Sequence, residues 1–504
     1  MQPPAALAYK ADLHAETGVT LRTSLAWSFT TKFGQRILQL IGSVAIARLL
    51  TPDEVGVFAI AVAVNSLLGS LREFGIGSYL IREAELSDDK IRTAFGLWLV
   101  LAWSMAAVLV LIRHPVADIY GTPAIAEVLL VIAINFVVMP FGQPANSLLR
   151  RRMRFDLINH VTLASVTVKI GASIGLAALG WSYMALAWGM VLGNAVRAIL
   201  FMAIEPRHLR LLPSLRHWRD VLAFGGWVTG AQLAGTVTQE GQKFVLGGLI
   251  NPAAVALFER AIQVPSMARQ SLFAPVGAVL FPSLSEDVRQ GRAIGAKVEK
   301  LIAATTVLVW PGFLALALLA EPFIVFVFGE NWRVAGEILP YLLVSNALLA
   351  LLPQPEQVLM PHGRVTRMFG VRLFSSVNGL SFAAAGALHS LHMFAYLRPI
   401  ASTLFVIAVF LACRRLMGVG LRQLAPHYLR AIVISLVSAG PAGVVAVLHG
   451  SSVPLSALLV ALGLGPPLWL VMLLITKHPL SEEFVLLLRT LHGRARTALM
   501  GSRP

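Results

Sequence analysis

Lys32, Gln35, Arg36 and Gln39 follow one another at i, i+3 and i+4 spacing, so a helix through them presents two cations and two amides on one face. Such a face can receive an oxyanion: an arginine fork bonds phosphate bidentately, and a lysine acts as a point charge. Related groups recur later, with Arg72 beside Glu73, Glu240 and Lys243 at i, i+3 next to Gln239 and Gln242, and Glu259, Arg260 and Arg269 in one segment. Each lies within an apolar run, where a charge at a helix centre costs about 2.5–3.5 kcal/mol on insertion scales. A charge there has to face a cavity, meet a partner or snorkel from near a helix end.

For Lys32 and Arg36 the three alternatives are cavity lining, which we favour, an internal ion pair, and snorkelling, which is hard for Arg36 midway along its run. Lys243 is open between a structural pair with Glu240 and substrate contact. Arg72 and Glu73 are adjacent, so they project from different sides of a helix and are expected to have different partners. Arg48, Lys169, Arg197, Arg398 and Arg430 default to interface anchors. Glu73, Glu240 and Glu259 are the carboxylates available for ion coupling. The candidate substrate-binding set is Lys32, Arg36, Gln39, Arg72, Lys243, Arg260 and Arg269.

The elements that position these residues are hydrophobic helices. The 504-residue chain is 57% hydrophobic and 13% charged, against roughly 25% charged in soluble domains. Apolar stretches fall at 24–49, 55–81, 93–112, 124–149, 157–179, 182–204, 222–250, 254–282, 298–320, 335–359, 366–387, 391–412, 427–448 and 454–475, giving about 14 spans. The fold class is an all-α polytopic membrane protein, and alternating strand patterns for a barrel are absent.

Basic residues cluster in alternate connectors: Lys90 and Arg92, Arg150 to Arg152, Arg207 to Arg219, Arg289 to Lys300, Arg364 to Arg372, and Arg414 to Arg422. The others hold only Arg113 and Arg333. By the positive-inside rule both termini are cytoplasmic. The net charge of +16 is therefore assigned to cytoplasmic loops, and no nucleic-acid partner is expected.

A shift of about two hundred residues superposes Leu49, Pro52, Val55, Phe58 and Ala61 on Leu249, Pro252, Val255, Phe258 and Ala261, with Trp27 on Trp227 and Gln39 on Gln239. Six spans separate the copies, so the repeat is parallel. The expected organisation is a cytoplasmic tail 1–23, an N-lobe of six helices 24–204, a basic cytoplasmic linker 205–221, a C-lobe of six helices 222–412, a C-terminal helix pair 413–475 and a cytoplasmic tail 476–504. Lys32 and Arg36 map onto Gln232 and Thr236, so the first copy is expected to hold an anion more strongly. Pro265, Pro275, Pro282, Pro311, Pro340, Pro353 and Pro355 are candidate kinks.

Several classes are excluded. A single Cys413 permits no intramolecular disulfide and no cysteine metal cluster, and no His/Cys/Asp set has metal-ligand spacing. There is no Walker sequence, and no cofactor or catalytic residue is expected. His389 and His392 flank a short turn and are read as solvated. No large external loop carries paired acids, which argues against a membrane polymerase, ligase or glycosyltransferase. A drug/cation antiporter would need an acidic cavity, whereas these spans hold more bases than acids.

Three passages carry a family resemblance: Ala47-Arg48-Leu49-Leu50-Thr51-Pro52 into Val55-Gly56-Val57-Phe58 with Phe74-Gly75-Ile76-Gly77; Phe258-Glu259-Arg260-Ala261 through Val279-Leu280-Phe281-Pro282-Ser283-Leu284-Ser285; and Leu319-Ala320-Glu321-Pro322 with Phe328-Gly329-Glu330-Asn331-Trp332. On these, residues 20 to 410 resemble the Wzx-type oligosaccharide flippases of the multidrug/oligosaccharidyl-lipid/polysaccharide exporter superfamily, in the exopolysaccharide and colanic-acid-exporter branch. Phe258-Glu259 departs from the family pattern, and Glu259 takes no role from it. The resemblance implies a bacterial inner-membrane transporter that moves an undecaprenyl-diphosphate-linked glycan to the periplasmic leaflet by alternating access. It also implies membrane lipids, a polysaccharide polymerase and a chain-length regulator as partners.

Overall fold

The computed structural model describes residues 21–83, 85–206, 213–216, 218–450, 453–476, 478 and 480–481, and within these the side chains of 21–33, 219–228, 230–232, 234 and 270–281 lie outside the described set. The expected tails therefore fall mostly outside it. The described residues form helices and connections, with no strand among them. In chain order the α-helices are α1 (Leu21–Leu49), α2 (Pro52–Glu73), α3 (Ile76–Arg82), α4 (Asp88–Ile119), α5 (Ala124–Val138), α6 (Gln143–Arg151), α7 (Phe155–Ala178), α8 (Ser182–Ile204), α9 (Trp218–Leu249), α10 (Pro252–Arg289), α11 (Gly295–Leu318), α12 (Ala320–Phe328), α13 (Arg333–Leu349), α14 (Pro355–Leu359), α15 (Val365–Ala387), α16 (Leu391–Met417), α17 (Leu421–His449) and α18 (Leu455–Ile475). Short 3₁₀ turns at Met139–Gly142 and Glu330–Trp332 join α5 to α6 and α12 to α13. Among the described residues, nine helical segments are both long and apolar enough to cross a membrane. The first, seventh, eighth, tenth and eleventh expected stretches lie in helices outside that set, so this measure does not reach the expected count of about 14 spans.

Packing divides the chain into two compact units, Met1–Gly248 and Leu249–Pro504. This division falls after α9, whereas the sequence repeat divides the chain in the basic segment 205–221. One cause is local. A Cβ on Gly247 would approach Ile60 and Tyr120 to 2.9 Å, so the end of α9 lies close against α2 and the end of α4.

The first unit is built on close helix approach. Gly189 and Gly193, a small-residue pair at i, i+4, let α8 approach α7 so tightly that a Cβ on Gly193 would come within 2.8 Å of the Ser165 carbonyl. Gly42 does the same for α1 against Ile170 of α7. The α1–α2 turn is a capping box: the Thr51 amide donates to Glu54 Oε2 at 2.7 Å and the Glu54 amide donates to Thr51 Oγ1 at 3.4 Å. Ser182, at the start of α8, donates to the same carboxylate. In the linker, the Ser214 amide donates to the Arg92 carbonyl at 3.1 Å, and Gly96 leaves room for the Ser214 backbone.

In the second unit the matching turn preserves the register of the repeat. α9 ends at Leu249 as α1 ends at Leu49, and Pro252 opens α10 as Pro52 opens α2. Here Asn251 replaces Thr51 as cap, accepting from the Ala254 amide at 2.8 Å. α10 runs without interruption through Pro265, Pro275 and Pro282. The prolines at 353 and 355 do break the tenth stretch, between α13 and α14.

The last two helices meet the polar cost of these prolines. Pro311 lacks an N–H and so strands the carbonyl four residues back, that of Val307, which accepts from Trp469 Nε1 of α18 at 2.9 Å. The Leu351 carbonyl, in the break between α13 and α14, accepts from Tyr428 Oη of α17 at 2.7 Å. Trp310 and Tyr428 stack with centroids 6.2 Å apart.

Candidate functional site

The expected cationic face of α1 is partly visible. Arg36 and Gln35 are half-buried and Gln39 is exposed, while the Lys32 side chain lies outside the described residues. Gln35 Nε2 is buried without a hydrogen-bond partner among the described residues. In α9, Lys243 Nζ and Glu240 Oε2 form an ion pair of 2.8 Å, with side chains 17% and 13% exposed.

Arg72 is 7% exposed near the end of α2. Contrary to expectation it bonds its own neighbour: Arg72 Nη2 donates to Glu73 Oε1 at 2.7 Å. Their Cβ atoms diverge on the helix, but Glu73 is its last residue and the next, Phe74, turns left-handed at φ 34°. The long arginine stem reaches round that terminus. Arg72 Nη1 also approaches Met139 Sδ at 3.0 Å, and the guanidinium lies 5.8 Å from the Phe136 ring centre.

Arg260, also 7% exposed, has a different surrounding. Its guanidinium lies 4.4 Å from the Trp332 ring and 4.8 Å from the Phe328 ring, and Nη1 donates to Gln263 Oε1 at 3.3 Å. Two of the sequence passages that carry the resemblance, around Arg260 and around Phe328–Trp332, are thus in direct contact. An arginine between two buried rings is stabilised by about 2 kcal/mol or more. Arg398 lies near Phe258 and Phe394 at 5.9 and 6.0 Å, extending the same aromatic layer. Arg269 is exposed and Glu259 half-buried. Within the first unit Arg72 pairs with Glu73 and Lys243 with Glu240, and within the second Arg260 packs on two rings.

His392, read as solvated, is exposed but has its Nε2 at 2.8 Å from Glu337 Oε2. Arg197, read as an interface anchor, is half-buried with its guanidinium 5.7 Å from the Phe201 ring. Asn135, Gln143, Asn146 and Asn194 were not singled out from the sequence. Their signal is amides at i, i+3 beside each other or beside an arginine (Gln143 with Asn146, Asn194 with Arg197) inside apolar helices. In the second unit, a cavity of about 200 Å³ is lined by Trp310, Phe313, Leu314, Leu343, Ile432 and Leu436, an apolar surface suited to hydrocarbon. No group of three or more metal-binding side chains occurs among the described residues.

Stacked apolar helices with buried guanidiniums define a polytopic helical membrane protein. Residues 45–337 match the family described as polysaccharide biosynthesis protein, more than half of the chain, and the protein belongs to that family. It is 26% identical to the succinoglycan biosynthesis transport protein ExoT of Rhizobium meliloti, over 66% of this chain and 67% of that protein. It is 23% identical to the lipopolysaccharide biosynthesis protein WzxC of Escherichia coli, over 67% and 69%, and 22% identical to the teichuronic acid biosynthesis protein TuaB of Bacillus subtilis, over 70% and 75%. Among solved structures, the lipid II flippase MurJ in an inward closed conformation matches with a TM-score of 0.73 at 13% identity, covering 90% of this chain and 99% of that one. An inward-facing multidrug resistance MATE transporter matches with a TM-score of 0.59 at 15% identity, over 76% and 94%.

Proposed function

We propose that this protein is a flippase that moves an undecaprenyl-diphosphate-linked oligosaccharide from the cytoplasmic to the periplasmic leaflet of a bacterial inner membrane for polysaccharide assembly. The observation that carries the reading is the agreement over 90% of the chain with the fold of a lipid II flippase, in a chain whose family and relatives serve polysaccharide biosynthesis. The physical chemistry is compatible. A diphosphate crossing hydrocarbon needs cationic groups inside the helices, and Arg36, Arg72 and Lys243 supply them, with Lys32, Gln39 and Arg269 in the same reading. Arg260 then serves to position the second unit through its rings. The apolar cavity beside α11 offers hydrocarbon surface to a polyprenyl chain.

In this reading the two six-helix lobes alternate access about the site with both termini cytoplasmic, and Glu73, Glu240 or Glu259 couples an ion. The first copy of the repeat holds the diphosphate more strongly, because Lys32 and Arg36 have no basic counterparts at Gln232 and Thr236. A pathway polymerase and a chain-length regulator are the expected partners. A cation antiporter would also suit the MATE-like fold, but the cationic groups Arg36, Arg72 and Lys243 in the apolar helices favour an anion.

The test is a gene deletion followed by leaflet-resolved assay of the lipid-linked repeat unit. Cytoplasmic-leaflet accumulation is expected, and periplasmic-leaflet accumulation would overturn the flippase reading in favour of a polymerase. Complementation with Arg36→Ala and Lys243→Ala should lower polymer output at normal protein levels. Full output from Arg36→Ala removes that residue from the path.

A further inference from the structure

The first unit contains a polar cluster that its own protein groups do not satisfy. α5, α6 and α8 meet beside the end of α2, and a cleft of about 20 Å³ opens there between Gln143, Asn146, Asn194 and Arg197. Asn194 Nδ2 donates to Asn135 Oδ1 at 2.8 Å. Beyond that bond the polar groups run out of partners: Asn135 Nδ2, Asn146 Oδ1 and Arg72 Nε are buried with none among the described residues. Asn135 is 2% exposed and Arg72 7%, so bulk solvent does not reach them. Buried polar atoms left without partners are costly, and a native cluster of them calls for a bound water or ligand.

Charge points to the sign of that ligand. Arg72, Arg150 and Glu73 all act electrostatically on Arg197, three guanidiniums against one carboxylate. An anion relieves the excess, and the guanidinium and amide donors are those that bind phosphate oxygens. The cleft has room for about one water, hence for one phosphate oxygen, with the rest of the headgroup outside. Its position fits an entrance: Arg72 lies at the end of α2, and Asn146 belongs to the short helix α6 that ends at Arg150 and Arg151. Under the positive-inside rule this is the cytoplasmic leaflet.

We infer that the first unit holds a phosphate-binding site, in which Arg197, with Asn146 and Asn194 and the nearby charge of Arg72, receives the headgroup phosphate of an anionic lipid at the basic end of the helices. That lipid is either the polyprenyl-diphosphate cargo or a membrane phospholipid. Naming the cargo rests on the flippase reading, and the phosphate chemistry does not.

The experiment titrates the detergent-solubilised full chain with undecaprenyl diphosphate and, separately, with phosphatidylglycerol, and counts bound lipid by native mass spectrometry. Arg197→Ala is expected to weaken undecaprenyl diphosphate about tenfold or more, the loss of one charge-assisted contact. Arg197→Lys should recover part of this, and Asn146→Ala should show a smaller loss. If phosphatidylglycerol alone is weakened, the site stands with a phospholipid as its occupant. Unchanged affinity for both lipids in variants that melt like the wild type overturns the site. Asn146→Ala keeps the test decisive should Arg197→Ala fail to fold. Flipping is read separately, from labelled undecaprenyl diphosphate in wild-type proteoliposomes, so failure there sinks the transport reading while the binding data still decide the site.

Discussion

Arg72 and Arg260 are equally buried, one in each compact unit, yet the protein treats them differently. Arg260 lies over two aromatic faces contributed by its own unit. Arg72 has one carboxylate from its neighbour, a thioether, and further arginines close by. Aromatic quadrupoles stabilise a cation in place, so Arg260 can lock a fold. A guanidinium with like charges nearby is suited to receive an anionic ligand. Burial alone, then, does not tell a functional arginine from a structural one. The partners do.

The comparison breaks most easily at Trp332. This side chain is fully buried, and Trp332→Ala should cost about 3–5 kcal/mol in stability, read as a large fall in the melting temperature of the extracted protein. An unchanged melting temperature would remove the aromatic layer from any structural role. Substituting each arginine by methionine sharpens the contrast. Arg260→Met places a flexible thioether among rings, where sulfur–aromatic contacts offset about 0.3–1.5 kcal/mol of the loss, and lipid-linked export should persist in cells. Arg72→Met should remain folded and lose export, and equal export from both variants would erase the distinction.

A smaller effect is expected at Trp469. Trp469→Phe keeps a ring but removes the donor to the Val307 carbonyl, and leaving that carbonyl unmet costs about 1–3 kcal/mol. If the melting temperature does not move, α18 does not serve to satisfy the proline-opened carbonyl of α11. The smallest effect concerns Asp287, at the end of α10 beyond the apolar stretch 254–282. Its carboxyl is held below its ordinary value of 3.8, first by a hydrogen bond from Lys297 and then by one from Arg292. A lowered carboxyl pKa adds stability that is present above the unfolded value and lost as pH falls through the folded one. Melting curves through the acid range should therefore show a loss in the wild type that Asp287→Asn lacks, and identical curves would discard the linkage.

Much of the fold was legible because hydrocarbon imposes simple rules. A run of apolar residues must satisfy its own backbone, so it becomes a helix, and Thr51-Pro52 and Asn251-Pro252 state where one helix stops and the next begins. The two turns match in the structure for that reason: caps and N1 prolines act locally and do not depend on neighbours. The α7–α8 approach was present in the chain as Gly189 and Gly193, but a small-residue pair becomes informative only when its partner face is known.

The candidate site was legible only as a set of residue types. Sequence placed Arg72, Lys243 and Arg260 inside apolar helices and assigned them one role. It separated Arg72 from Glu73 on ideal helix geometry, which fails where the helix ends. It also read Arg197 as an interface anchor and passed over the amides near it, since nothing in the local pattern says that α2, α5, α6 and α8 bring them together. The sequence by itself determined that this is a helical membrane protein with charges embedded in it, because hydrophobicity and capping are properties of short stretches. Which of those charges are satisfied by aromatic rings, which by a neighbouring carboxylate, and which are left with open valences was decided only by tertiary structure, because a partner is a matter of distance in space and not along the chain.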